Sequence, residues 1–264
     1  MRKYETQLAD RYIGEFLARK VQQKKVTTYN PATEHRDQRM LCLVACHADK
    51  PLKVRCINNN LGYLCGFENI VVCVINSEGT EFADAVREEC ATKGAEYVEV
   101  PNEATLDFGK WTWVLRERGC LEGCFFNHVL FTNDSFLIEA PIVHFFNQIF
   151  RRNLEMYAYN DSTERGGQHY QSYLFSVRVD ALPKLIDHVE ENKDRIEGYF
   201  DVVDHLEIPL FRRFESSHDC FLPIGRLPGH RGKSVFYTNN GLYKLLKNHG
   251  LFPFFKLRRF DMPP

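Results

Sequence analysis

The stretch His-Val-Leu-Phe-Thr-Asn-Asp-Ser, residues 128–135, is the most informative part of this chain for its architecture. A continuous apolar run breaks here into an amide, a carboxylate and a hydroxyl, which is typical of a buried strand that ends in a polar turn. Asp134 is therefore a candidate ligand for Mg²⁺ or Mn²⁺, because these hard cations prefer oxygen ligands. The alternative is an Asx-type turn over 133–135, or a cap on a helix that begins near Glu139.

Outward from this stretch, apolar runs alternate with segments of helical periodicity. The pattern predicts strands at 40–46, 69–76, 96–100 and 125–132 and helices at 51–65, 81–93 and 108–118. Strands that alternate with helices over about a hundred residues indicate a parallel sheet wound with right-handed crossovers. The expected class is therefore α/β and Rossmann-like, with a mainly parallel central sheet flanked by helices. Such sheets bind ligands at the carboxyl ends of their strands.

The remaining sequence is less regular. Strands are predicted at 154–159 and 170–177, helices at 180–192 and 201–215, and irregular structure after 216. We interpret residues 1–38 as an N-terminal helix and linker, 39–216 as the main domain, and 217–264 as an extension that packs on the same domain.

Composition limits the possible partners and the compartment. The 264 residues include 34 Lys and Arg against 35 Asp and Glu, so there is no overall basic field to favour nucleic acid as a partner. The nine cysteines are an odd number, and most lie in apolar runs, which favours reduced thiols in a reducing compartment. With no apolar leader and no apolar run of about 20 residues, we expect a cytoplasmic protein without a transmembrane segment.

Three segments in this order carry a resemblance to a known family. They are Asn-Glu-Ala-Thr-Leu-Asp-Phe-Gly-Lys-Trp at 102–111, Val-Leu-Phe-Thr-Asn-Asp-Ser at 129–135 and His-Tyr-Gln-Ser-Tyr at 169–173. Together they resemble the rhamnan synthesis protein F family of polysaccharide glycosyltransferases, over roughly residues 40–215. The chain departs from the family pattern at Ala104, where a glycine is usual. The resemblance implies a GT-A-like nucleotide-sugar-binding fold, and transfer of a sugar, often rhamnose, from a nucleotide-diphosphate sugar to a glycan.

Within that frame, five residues are expected on the donor side. Asp107 would contact the base or ribose, and Lys110 would contact phosphate; the alternative is that Asp107 caps a helix and Lys110 is solvated. The other three are polar residues that end predicted strands: His47, Asn76 and Asn133. The amide of Asn76 can both donate to and accept from a base edge.

On the acceptor side we expect His169 and Gln171, in a polar loop before the next strand. Asp204 and Glu207 are spaced to share one face of a helix, and an inverting transferase needs a base for the acceptor hydroxyl. The resemblance places a glutamate at position 207, so Glu207 is the preferred base and Asp204 the second choice. Solvated helix charges are the alternative interpretation of this pair.

Residues 229–234 form a basic turn flanked by glycines. His230 could complete a metal shell there, although an exposed loop explains the same residues. The leading hypothesis is a metal-assisted glycosyltransferase. Two alternatives are a catalytically silent carbohydrate-binding or scaffold domain of the same shape, and a sugar-phosphate nucleotidyltransferase. The latter usually carries a glycine-rich phosphate loop near the first strand, and residues 46–52 contain no glycine.

Overall fold

The structure is a computed structural model that describes residues 38–117, 126–164, 167–214, 217–227 and 241–256. The predicted N-terminal helix and the turn at 229–234, with His230, lie outside the described residues. Among the helices of the described part, none has the length and apolar character needed to span a bilayer.

Strands and helices alternate through the first half. The elements are β1 (Met40–Cys46), α1 (Pro51–Leu64), β2 (Ile70–Ser77), α2 (Ala83–Lys93), β3 (Glu96–Val100), α3 (Leu106–Glu117) and β4 (His128–Asn133). These four strands are parallel, with β1 between β2 and β4 and with β3 outside β2. Gly94 ends α2 in the left-handed conformation, with φ of 71°, which glycine adopts without a Cβ clash.

The second half completes the sheet. Its elements are β5 (Phe136–Ile138), α4 (Val143–Arg152), β6 (Met156–Ser162), β7 (His169–Tyr170), β8 (Leu174–Arg178), α5 (Leu182–Asn192), a helical segment at 199–214, β9 (His218–Leu222), α6 (Gly241–Asn248) and β10 (Phe254–Lys256). The main sheet runs β3-β2-β1-β4-β8-β6-β7, and β9 also pairs with β6. Strand β8 is antiparallel to both of its neighbours, so β6 and β9 again point the same way as β4.

The core lies on both faces of this sheet. Along β1, Met40, Cys42 and Val44 join one buried cluster, whereas Leu41 and Leu43 join the other. Successive side chains of a strand point to opposite faces, so a strand covered on both sides is apolar throughout. The predicted α/β class, with a mainly parallel sheet flanked by helices, is confirmed.

Several predicted elements differ from the observed ones. No helix begins near Glu139; residues 136–138 form β5, which pairs with β10, and α4 begins at Val143. The single strand predicted at 170–177 is divided into β7 and β8. The described residues after 216, which are 217–227 and 241–256, include regular elements, because β9 joins the main sheet and β10 pairs with β5. Pairing partners distant in sequence stabilise β5, β9 and β10, and a local periodicity does not reveal them.

The helix predicted at 201–215 is a series of short turns. Residues Val202–Glu207 form a π-helix, in which the Ile208 N–H donates to the Val203 carbonyl, and Phe211–Phe214 form a 3₁₀ turn. Pro209 lies between them and has no N–H to donate, so a regular α-helical ladder cannot continue through this point. The predicted domain boundaries at 38/39 and 216/217 stay predictions.

Candidate active site

Asp134 stands at the carboxyl edge of the sheet, directly after β4. Its side chain is buried, with 5% of the residue exposed. One carboxylate oxygen accepts a hydrogen bond from the backbone N–H of His47 at 2.8 Å, and the other accepts from the Lys53 ammonium at 2.6 Å. The ends of β1 and β4 and the start of α1 therefore meet at this carboxylate.

Asn133 joins β4 to the start of α3. Its Nδ2 donates to the Asp107 carboxylate at 2.8 Å, and its Oδ1 accepts from the backbone N–H and the hydroxyl of Ser135. The Asx-type turn considered from the sequence thus forms, and the same side chain also fixes Asp107. Burial raises the pKa of Asp107, and Asp134 adds to that effect, while Lys110, Asn133 and Lys53 oppose it. The Asp107 carboxyl is therefore held by Asn133, within electrostatic range of a second carboxylate, Asp134.

Lys110 is buried in the first half of α3, with 4% of the residue exposed. Its charge acts on Asp107 and on the Cys46 thiol, so the ammonium lies among the groups of this edge. No acidic side chain of the described residues comes within the 4.0 Å of a salt bridge to it, and none accepts its hydrogen bonds. A buried ammonium without a paired anion is costly unless a ligand supplies one.

Glycine at position 109 of α3 leaves space for the side chains of the turn before the helix. A Cβ at this position would lie 2.2 Å from the Thr105 hydroxyl oxygen and 3.1 Å from a Glu103 carboxylate oxygen. The Gly109 backbone therefore packs closely against the side chains of the turn before the helix. Leu106 in the same turn has φ of 53°, a strained conformation for a residue with a branched side chain. This compact turn sets the direction of Asp107.

His47 and Asn76 take different positions at the edge. The backbone N–H of His47 binds Asp134, and its ring Nδ1 is buried without a partner in the described residues. Asn76 is fully buried; its Oδ1 accepts from the Ala48 N–H, and its Nδ2 donates to Thr80 and Tyr97. Asn76 fixes the loop after β1, and its direct contact with a donor stays a prediction.

Glu207 and His169 are brought together on the other side of the edge. One Glu207 oxygen accepts from the Ser172 hydroxyl at 3.0 Å, and the other lies 3.8 Å from His169 Nε2. His169 Nδ1 is 3.0 Å from the Gly167 carbonyl, which assigns the proton of a neutral ring to Nδ1. Nε2 is then left to face Glu207.

Gln171 is less directly placed. Its Oε1 accepts from Asn160 Nδ2 at 3.2 Å, and the Asn160 oxygen accepts from the Tyr173 hydroxyl. Gln171 therefore braces the end of β6 against the turn before β8. Its role toward an acceptor stays a prediction.

The expected common face of Asp204 and Glu207 does not form. Asp204 is exposed, whereas Glu207 is half-buried against Ser172. A π-helix closes its hydrogen bonds five residues apart, so residues three apart do not align as they do in an α-helix. The structure separates the two candidates for a base that sequence spacing places together.

Both groups of side chains lie on adjacent strands. Thr132 pairs with Leu174 in the sheet, and the Thr132 hydroxyl donates to the Tyr173 carbonyl at 2.9 Å. Asn133 directly follows Thr132 in the chain, and Ser172 directly precedes Tyr173. Neighbouring strands of a sheet are about 4.8 Å apart. The Asp134 group and the Glu207 group therefore lie at neighbouring positions on the same edge of the sheet.

Lys53 is the residue that the sequence interpretation missed. It lies in the first turn of α1, and only its position after the first parallel strand could have drawn attention to it. Cys46, one of the cysteines interpreted as buried thiols, is also at this site, and the Asp134 charge acts on it. Burial, followed by the Asp134 charge, raises the Cys46 pKa well above its ordinary value, so the thiol stays protonated.

The residues present fit a divalent cation only in part. Asp134 offers hard carboxylate oxygens, and Asp107 is within electrostatic range of it. Among the described residues, no three His, Cys, Asp or Glu side chains cluster closely enough to hold a metal by themselves. The donor set suits a cation shared with the phosphates of a bound nucleotide, which is the usual arrangement for Mg²⁺.

The similarities of this chain to known proteins are distant. No protein-family model and no curated protein matches the chain. Among solved structures, it is similar to the glycosyltransferase GlyE of Streptococcus pneumoniae, with 12% identity and a TM-score of 0.45 over 69% of this chain. It spans only 45% of that protein's chain. A protein of Desulfovibrio desulfuricans, provisionally described as a nucleotide-diphospho-sugar transferase, is 13% identical with a TM-score of 0.45 over 81% of this chain and 96% of its own.

Proposed function

We propose that this protein is a glycosyltransferase with a GT-A-like fold that moves a sugar from a nucleotide-diphosphate sugar to a hydroxyl of a glycan. The observation that carries the proposal is the meeting of Asp134, Asp107, Lys53 and Lys110 at the carboxyl edge of a mainly parallel sheet. This is the edge where such sheets bind their ligands. The resemblance of three motifs to polysaccharide glycosyltransferases supports the same function.

On the donor side, the two lysines and the two aspartates cancel in formal charge. A diphosphate would add at least two negative charges to a half-buried crevice, which is unfavourable without further cations. Asp134 would hold Mg²⁺ or Mn²⁺ together with the phosphates. When bound, such an ion offsets the negative charge that develops on the departing diphosphate. Lys110, buried and without an anionic partner in the described residues, would contact the same phosphates.

On the acceptor side, Glu207 is proposed as the general base. The acceptor oxygen forms a bond to the anomeric carbon as the bond from that carbon to the diphosphate oxygen breaks. The bonding electrons leave with the diphosphate, and the hydroxyl proton passes to Glu207. The Ser172 hydroxyl holds one Glu207 oxygen in place, and the other oxygen lies 3.8 Å from His169 Nε2. Inversion at the anomeric carbon follows from this single displacement.

A donor screen tests the function. Thermal unfolding is measured with nucleotide sugars, a rhamnose donor first and then other hexose and pentose donors, with and without Mn²⁺. A ligand at a hundred times its dissociation constant stabilises the folded state by about 2.7 kcal/mol, which is readily measured. We expect stabilisation by one donor class, and Mn²⁺-dependent donor hydrolysis. Asp134→Asn should abolish both and leave the unliganded protein folded.

Three other outcomes would contradict the proposal. Glycan binding with no response to any donor would favour a silent carbohydrate-binding domain. Formation of a nucleotide sugar from a sugar phosphate and a nucleoside triphosphate would favour a nucleotidyltransferase. Donor turnover that persists in Asp134→Asn would remove Asp134 from the site.

A further inference from the structure

The start of α1 is built to receive a negative group. The helix has 14 residues, its first turn contains no acidic side chain, and no side chain caps it. Helix N-termini attract anions, and Lys53 adds a full positive charge within the first turn. The Asp134 carboxylate lies beside this first turn, where it is bound by the Lys53 side chain and by the N–H of His47.

A second observation points to an external anion at the same place. Lys110 on α3 is more than nine-tenths buried and is not paired with any acidic side chain of the described residues. Its charge acts on Asp107 and on Cys46, and the charges of Asp134 and Lys53 act on the same two groups. Two ammonium groups from different helices thus act on the Asp107 carboxyl, and of the two only Lys53 forms an ion pair with an acidic side chain of the described residues.

Lys53 and a divalent cation compete for Asp134. The ammonium is 2.6 Å from one carboxylate oxygen, and a cation at that oxygen would lie against a like charge. Binding of the cation alone at that oxygen must therefore break the ion pair and leave a half-buried ammonium without a partner. A diphosphate that enters with the cation restores an anionic partner for Lys53 and provides one for Lys110.

We propose that Lys53 exchanges partners, from Asp134 in the ligand-free protein to the diphosphate in the complex, so that a divalent cation and a nucleoside diphosphate bind together and the cation binds poorly alone. This inference rests on the proposed function and extends it. Lys53 becomes a diphosphate-binding residue and the source of the coupling between metal and nucleotide.

Binding measurements on four proteins test the exchange. They are the wild type, Lys53→Met, Lys53→Arg and the control Lys50→Met, which removes an exposed lysine three residues away. Free Mn²⁺ is followed by electron paramagnetic resonance in a titration with Mn²⁺ alone. Binding of UDP, GDP and dTDP is then measured by calorimetry in excess Mn²⁺. Fluorescence of Trp111 and Trp113, the two tryptophans of the chain, confirms that each variant is folded.

The expected effects have opposite signs. Lys53→Met should bind Mn²⁺ alone about tenfold more tightly, because the competing charge-assisted hydrogen bond is gone. It should bind the preferred nucleoside diphosphate about tenfold more weakly. Lys53→Arg keeps the charge and should stay near the wild type in the Mn²⁺ titration, and Lys50→Met should match the wild type in both.

Either half of this result can fail separately. If Lys53→Met binds Mn²⁺ alone no more tightly than the wild type, the exchange is wrong, whatever the nucleotides do. If Mn²⁺ binding tightens but nucleotide affinity holds, Lys53 only blocks the carboxylate, and its role in diphosphate binding is wrong. If none of the three nucleotides binds the wild type in the presence of Mn²⁺, the proposed function is wrong. The titration with Mn²⁺ alone tests the competition between Lys53 and the cation independently of that result.

Discussion

At the scale of the residue, the site is an arrangement of ionised groups from separate parts of the chain. Asp134 is held by Lys53 and by the backbone of His47, and Glu207 is held by Ser172 beside His169. Removal of one member of a buried ion pair is costly, because its partner is left uncompensated. Amide replacements of the carboxylates remove the charge as truncations do, but they keep the shape of the side chain and open no cavity, so they are the cleaner tests.

The role of Glu207 is tested by Glu207→Gln. The amide can still accept from the Ser172 hydroxyl but cannot take a proton from the acceptor. Because a positioned base contributes about 10²- to 10⁴-fold, we expect turnover to fall on that scale while donor binding persists. Steady-state rates and donor calorimetry provide the measurement.

Asp204→Asn is the matched variant, because Asp204 is an exposed carboxylate on the same π-helix. Its loss of turnover should stay below about tenfold, since it lacks the position of a base. A larger loss in Asp204→Asn than in Glu207→Gln would exchange the two assignments. Retention of configuration at the anomeric carbon, determined by NMR, would contradict single displacement.

At the scale of the element, irregular backbone sets the directions of the site residues. The π-helix turns Glu207 inward, and α5 supports it through His188, the Nε2 of which is 3.0 Å from the Leu206 carbonyl. Burial lowers the pKa of His188, and Arg213 donates to its Nδ1. A neutral ring protonated at Nε2 satisfies both contacts. The turn before α3 sets the direction of Asp107 through the close packing of Gly109 against Thr105.

Gly109→Ala tests that packing. A Cβ 2.2 Å from the Thr105 hydroxyl must displace that side chain and its hydrogen bond to Glu103, so we expect a loss of about 1–3 kcal/mol in the free energy of unfolding and weaker donor binding. Urea unfolding measures the first effect and calorimetry the second. Thr105→Ala in the same chain should recover part of the loss, because it removes the clashing oxygen.

Gly62→Ala is the control for this change. Gly62 lies inside α1, and a Cβ added there would meet nothing within 4 Å, so alanine should be neutral or stabilising by up to about 1 kcal/mol. If Gly109→Ala were as benign as Gly62→Ala, the turn before α3 would have room for a side chain, and its tight packing would not direct Asp107.

At the scale of the whole molecule, a sheet covered on both faces stabilises the edge that carries the site. The opposite edge includes His128 at the start of β4, with 1% of the residue exposed. Burial lowers the pKa of His128 to about 4. The unfolded chain binds a proton there near pH 6.5, so stability is present at neutral pH and is lost as the pH falls toward 4.

The pH dependence of unfolding tests this assignment. As the pH falls from about 8 to 5, protonation of His128 in the unfolded chain alone should lower the free energy of unfolding by about 2 kcal/mol, because the folded state excludes that proton. His128→Phe keeps an aromatic ring beside Phe150 and should lose that part of the pH dependence. Urea unfolding of both proteins at the two pH values gives the comparison. Equal slopes for the two proteins would show that His128 is protonated in the folded state as readily as in the unfolded chain.

The order of the first four strands and three helices, and the polar residues that follow β1 and β4, are predictable from the sequence. Apolar periodicity, glycine at a helix end and polar residues after an apolar run are local properties of the chain, and strands buried on both faces are continuous apolar runs. The same reasoning identifies Asp107, Lys110, Asn133 and Asp134 as candidates for one edge. It cannot assign their partners, since a hydrogen bond over 81 residues, such as that of Lys53 to Asp134, leaves no local trace.

Tertiary structure alone decided the reversed direction of β8, the pairing of β9 with β6 and the orientation of Glu207. Each depends on contacts between segments that are distant in sequence: Thr132 with Leu174, Tyr157 with Asp219, and Glu207 with Ser172. The π-helix is the clearest case. Spacing in the sequence puts Asp204 and Glu207 on one face, but a backbone that closes its hydrogen bonds over five residues leaves Asp204 exposed and turns Glu207 toward His169.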